Sequence, residues 1–183
     1  MATRDWQTLL RFHCTGCGNC CKGTQVMITD ADVRRIADGT GRPVGELVQF
    51  ARPGEILLDK RSPWWVRFES TRAVMTLRWT DERCAFLDAD ERCAIYEHRP
   101  VTCRDFPFNV TLSATGAVER LSLSNVVTCE HTWDGSHTRR ELARTRQWND
   151  RQADAYIRRV ERWNRRRDLA RTPDAFLQFL GLE

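Results

Sequence analysis

The chain has 183 residues, 41% of them hydrophobic and 30% charged, with a formal net charge of +4. That balance excludes disordered and collagen-like classes, and no apolar run approaches the roughly 18 residues a membrane span needs. Met1–Phe12 carries Arg4, Asp5 and Arg11 and no apolar core of signal-peptide type, so the expected location is the cytoplasm.

The basic residues are almost all arginine, Lys22 and Lys60 being the two lysines. Twelve arginines fall between Arg139 and Arg171, against Glu141, Asp150, Asp154, Glu161 and Asp168. The expected organisation is a body over residues 1–136 and an Arg-rich helical segment over 137–183 packed on it.

In chain order, Met27–Ala51 reads as two short helices. Thr29 caps the first, with Asp30 and Asp32 in its first turn, and Gly39 or Gly41 stops it. Pro43 opens the second, which carries Val44, Leu47, Val48 and Phe50. Trp64–Ser70 and Val74–Trp79, rich in β-branched and aromatic residues, read as strands. Cys84–Leu87 and Cys93–Tyr96 flank a polar turn and predict a hairpin. Pro100 opens a helical turn through Cys103 and Arg104, and Pro107 closes it. Phe108–Ser113 and Val118–Ser124 predict a second hairpin around Gly116. His137–Ala170 has no Gly or Pro, and Ala153, Tyr156, Ile157, Val160 and Trp163 recur at helical spacing. Thr172-Pro173 starts a last short helix that ends at Gly181. The fold class is α+β: a small antiparallel sheet with flanking helices, cysteine-bearing loops gathered around a metal site, and a long C-terminal amphipathic helix.

Eight cysteines are many for a chain without a secretion signal, and in such a chain they point to metal or catalysis before disulfides. Cys14-x-x-Cys17-x-x-Cys20-Cys21 is the strongest feature. Two intervening residues let one backbone turn aim two thiolates at one metal, and Gly16 and Gly18 relieve crowding. Adjacent residues of an extended loop point to opposite sides, so Cys20 and Cys21 are not expected to serve one ion together. Either one faces away, or the loop lies between two metal positions, or one thiol is redox-active. Cys84, Cys93 and Cys103 begin or end elements that fold back on one another, and Cys129 is the expected fourth member of that set. His13 and His131 are weaker ligand candidates. No Ser-His-Asp arrangement, paired catalytic carboxylates or phosphate-binding loop stands out.

The strings Cys14-x-x-Cys17-Gly18-x-Cys20-Cys21, Cys84-x-x-Leu87, Cys93-x-Ile95-Tyr96 and Arg99-Pro100-x-x-Cys103-Arg104-x-Phe106-Pro107 resemble the CxxCxxCC, or YkgJ-like, cysteine-cluster family over about residues 12–130. The resemblance implies a zinc- or iron-chelating domain, and members of that family are often described as iron–sulfur oxidoreductases. The expected metal ligands are Cys14, Cys17, Cys20, Cys21, Cys84, Cys93, Cys103 and Cys129. Arg104, and Arg99 with it, is placed to donate to thiolate sulfur and offset its charge. The expected cofactor is an iron–sulfur cluster of the [4Fe–4S] kind, with Zn2+ as the alternative. The corresponding functions are electron transfer or redox modification with a protein or small-molecule redox partner, or a zinc-stabilised interaction module without catalysis. Nucleic acid and membrane are not expected partners, because the arginines are interleaved with acids as on an ordinary solvated helix face.

Overall fold

The computed structural model describes residues 5–23, 25–125, 128–167 and 170–182; Met1, Arg4 and Asp168, named above, lie outside them. After a short turn, α1 (Trp6–Leu9), come a two-residue strand, β1 (His13–Cys14), and a helical turn, α2 (Cys20–Gly23). The next helix, α3 (Asp30–Thr40), has a full capping box at its start. The Thr29 hydroxyl accepts from the Asp32 N–H at 3.2 Å, and the Asp32 carboxylate accepts from the Thr29 N–H at 3.0 Å. Gly41, at φ 67, ends it.

Pro43 leads into a single turn, α4 (Val44–Leu47), and the chain then extends into β2 (Val48–Ala51). The expected helix through Phe50 therefore stops at Leu47. Val48 and Phe50 lie opposite Leu77 and Met75 across a ladder, and that packing outweighs a weak local helical tendency. A two-residue strand, β3 (Val66–Arg67), precedes β4 (Arg72–Leu77), and the sheet order is β2-β4-β3, all antiparallel. β4 is central, and Ala73 to Leu77 are all buried.

The remaining pairings are small and separate. β5 (Trp79–Thr80) pairs with β6 (Arg83–Cys84). The Asp88–Arg92 turn is closed by one antiparallel bridge, Leu87 to Cys93, so the expected hairpin there is a tight loop without a ladder. A 3-10 turn over Tyr96–His98 and a helical turn, α5 (Val101–Asp105), follow. β7 (Phe108–Leu112) and β8 (Val118–Leu123) form the second hairpin, and β9 (His131–Thr132) returns to pair with β1. Among the described residues the antiparallel structure is thus four small pieces, where one small sheet was expected.

The long helix, α6 (Arg139–Arg165), has its own capping box on Thr138 and Glu141. It ends several residues before Ala170, at Arg166, whose backbone is extended (ψ 145). Arg171 donates to the carbonyls of Asn164 and Arg166 at this end. The last helix, α7 (Pro173–Phe179), is capped by Thr172 and followed by Gly181 at φ 69. Tyr156, Val160 and Trp163 of α6 and Phe176 of α7 share one core with Ile28, Val33, Ile36, Leu47, Val66 and Met75. Two polar devices fix α6 there. Asn164 accepts from the Arg67 N–H and donates to the Trp65 carbonyl, both at 2.8 Å, which covers the exposed edge of β3. Arg159 and Arg34 both pair with Asp30, a carboxylate only 1% exposed. Among the described residues, no helix is long and apolar enough to cross a membrane.

Candidate metal centre

Gly18 brings the two cysteine-bearing regions together. Its φ is 70, and a β-carbon there would lie 2.7 Å from the Glu91 carbonyl oxygen and 3.1 Å from the Leu87 side chain. Only glycine lets the N-terminal loop rest on the Leu87–Arg92 turn. The Lys22–Glu91 ion pair fastens the same contact.

Cys20 and Cys21 follow on α2, so the extended-loop argument about their directions fails. In a helical turn neighbouring side chains diverge by about 100° rather than 180°, and the two sulfurs are 4.0 Å apart. The Cys20 and Cys21 thiols are hydrogen-bonded to each other, and Cys21 interacts in turn with the sulfur of Cys84. Cys93 and Cys103 complete the group. It draws on three segments: α2, the β6–Cys93 loop and α5.

Burying these sulfurs makes their ionised forms costly. Cys20 is pushed up by its bond with Cys21, then by burial. Cys21 is pulled down by the bond with Cys20, but its bond to Cys84, burial and the neighbouring thiols outweigh this and set it at about 12. Cys103 is raised by burial and by Cys20, Cys21 and Cys93, and Cys93 is raised chiefly by burial. Cys84, bonded to Cys21, is lowered.

Cys14, Cys17 and Cys129 form a second group. Cys129 is raised to about 12, by burial first, then by the neighbouring Cys14 and Cys17 and, less, by Cys20 of the first group. It therefore stands with the N-terminal pair, whereas the spacing suggested Cys84, Cys93 and Cys103. Pairing of β1 with β9 sets Cys14 directly opposite His131. His13, on the other face of β1, is bonded to Asp134 at 3.0 Å and turns away from the thiols. All eight cysteines are free thiols. Among the described residues, no three His, Cys, Asp or Glu side chains are closed around one ion position.

The profile of the CxxCxxCC family, described as "Putative zinc- or iron-chelating domain", matches residues 13–130. The chain belongs to this family. No curated protein and no solved structure matches it. The matched span holds all eight cysteines and ends just before β9.

The donor set suits the metals that the CxxCxxCC family is described as chelating. Five soft sulfurs on three segments, with the ionised forms of all but Cys84 made costly in the metal-free state, gain most from a thiophilic cation. The basic partner of the group is Arg99 rather than Arg104. The Arg99 guanidinium lowers the cost of ionising Cys20, Cys93 and Cys103. It lies 3.7 Å over the Tyr96 ring, and its Nε is buried without a hydrogen-bond partner. A buried donor left over beside sulfur fits a site whose acceptors gain charge when metal enters. Arg104 is exposed and donates to the carbonyls of Glu97 and Arg99, holding the turn before α5. The sequence signal for Arg99 is Pro100, which keeps the preceding residue extended (φ −53, ψ 148) and out of the helix.

Proposed function

We propose that Cys20, Cys21, Cys84, Cys93 and Cys103 hold an iron–sulfur cluster of the [4Fe–4S] type, and that the protein serves electron transfer or a redox modification. The observation that carries this reading is the number of donors. Zinc is filled by four ligands in a structural site, and here five thiols converge from three segments, two of them 4.0 Å apart. A bound cluster would supply one-electron redox chemistry tuned by hydrogen bonds to sulfur. The chain's own part is to gather the thiols, to set the Arg99 guanidinium against their charge and to shield Cys84, which is 5% exposed. A reducing compartment such as the cytoplasm suits eight free thiols, and the electron would pass to a protein or small-molecule redox partner.

A zinc-stabilised interaction module is the second reading. It is favoured by two open cavities that are lined by arginines of α6 and include no cysteine. Anaerobic purification followed by iron, sulfide and zinc analysis separates the two. The iron–sulfur reading predicts a brown protein with iron and sulfide in equal amounts. A colourless protein with zinc in both cysteine groups contradicts it.

A further inference from the structure

We infer that Cys14, Cys17, Cys129 and His131 form a separate zinc site, distinct from the five-thiol group. The inference stands whichever metal the five-thiol group holds.

Two short segments supply the four donors, as Cys14-Thr15-Gly16-Cys17 and Cys129-Glu130-His131. Their backbones are already tied. The β1–β9 ladder pairs His13 with Thr132 and Cys14 with His131. Thr15 donates to the Glu130 carbonyl at 2.9 Å, Asn19 to the Thr128 carbonyl at 3.0 Å, and the Gly135 N–H to the Arg11 carbonyl at 2.8 Å. Directly opposed residues of an antiparallel pair share a face, so the side chains of Cys14 and His131 leave the ladder on the same side. The Cys129 thiol donates to the Glu130 carbonyl at 3.7 Å, and Cys14 and Cys17 are its electrostatic neighbours. The ladder and these bonds thus hold the two donor-bearing segments side by side.

The state of His131 points to a metal. Its Nδ1 lies 2.7 Å from the Cys129 carbonyl oxygen. A carbonyl only accepts, so Nδ1 carries a proton, and Nε2 is the nitrogen left to bind an ion. This is how metal-bound histidines are held, with one nitrogen donating to a backbone carbonyl and the other free for the ion. Phe12 stacks on the ring at 5.1 Å and Trp133 meets it edge-on at 4.6 Å, which fixes its plane. Three thiolates and one imidazole make a tetrahedral set suited to Zn2+. Binding releases three thiol protons and leaves a net charge of −1, with no change of oxidation state.

The test uses the full chain, purified anaerobically, with iron, sulfide and zinc measured in the wild type, Cys129→Ser and His131→Phe. The His131→Phe change keeps the aromatic stack and removes the ligand. The wild type is expected to hold one zinc per chain, and each variant to lose it while iron, sulfide and visible absorption stay at wild-type levels. Should the wild type hold two zinc ions and no iron, the iron–sulfur reading fails. This inference then stands if Cys129→Ser removes one of the two. Full zinc retention in both variants, or iron lost in step with zinc, overturns it. If the variants do not fold, zinc-edge X-ray absorption of the wild type decides: a mixed sulfur and nitrogen shell supports the site, and a shell without nitrogen overturns it.

Discussion

Gly18 and Gly16 have nearly the same backbone angles, φ 70 and φ 75, but different surroundings, and the pair separates strain from contact. A β-carbon at Gly16 meets nothing within 4 Å, whereas at Gly18 it strikes the backbone of Glu91. Alanine at either position pays about 1–2 kcal/mol for the left-handed conformation. Only Gly18→Ala also pushes the Leu87–Arg92 turn off the N-terminal loop. Melting should show both losses, and metal analysis should show depletion in Gly18→Ala alone. The arginines make a second comparison. Removing a group that donates to metal-bound sulfur costs about 10–100-fold in metal affinity, so Arg99→Gln should lose metal to a competing chelator far sooner than Arg104→Gln. The eight thiols were legible as a motif, since such spacing seldom arises without a metal. Their partition was not, because it depends on α2 being helical and on β9 carrying Cys129 back to β1.

At the scale of elements, Asp32 links α3 to the cysteine group. Its carboxylate accepts from the Thr29 N–H and hydroxyl, from Arg35 at 2.7 Å, and from the Val101 N–H at 3.1 Å, where α5 begins. It is 2% exposed. Asp32→Ala takes the carboxylate from Arg35 and strands two backbone donors, which costs about 3 kcal/mol for a buried charged network. It also loosens α5, which carries Cys103. Thermal unfolding should show the loss of stability, and a fall in bound metal should accompany it. Helix starts were readable because caps are local chemistry: Thr29 and Thr172 cap in place, and the long helix begins next to the expected His137. Strands were less so. Val48–Ala51 forms β2 only because β4 lies beside it, and Trp64–Ser70 keeps two strand residues because Asn164 of α6 takes over that edge.

For the whole molecule, the two cysteine groups join segments from β1 to β9, while the main core, which includes Cys84, extends well beyond them through Ile36, Met75, Tyr156, Val160, Trp163 and Phe176. Metal removal should therefore lower the melting temperature without abolishing the fold. A reduced, chelated sample melting at the temperature of the loaded protein would contradict this. The metal-free form also carries a pH signature. Thiols raised in the fold favour it below their ordinary value of 9.0 and lose that advantage as pH climbs to about 12. Cys84, lowered, opposes them in part. Melts at about pH 8 and about pH 11 should differ for the metal-free protein and much less for the loaded one, whose ligands carry no protons to lose. The central claim is that the five thiols of α2, the β6–Cys93 loop and α5 hold iron as an iron–sulfur cluster. Iron-edge X-ray absorption of the anaerobically purified protein tests it most directly: the account predicts a shell of sulfur with iron–iron scattering beyond it, and iron bound through oxygen and nitrogen, or no iron at all, would contradict it.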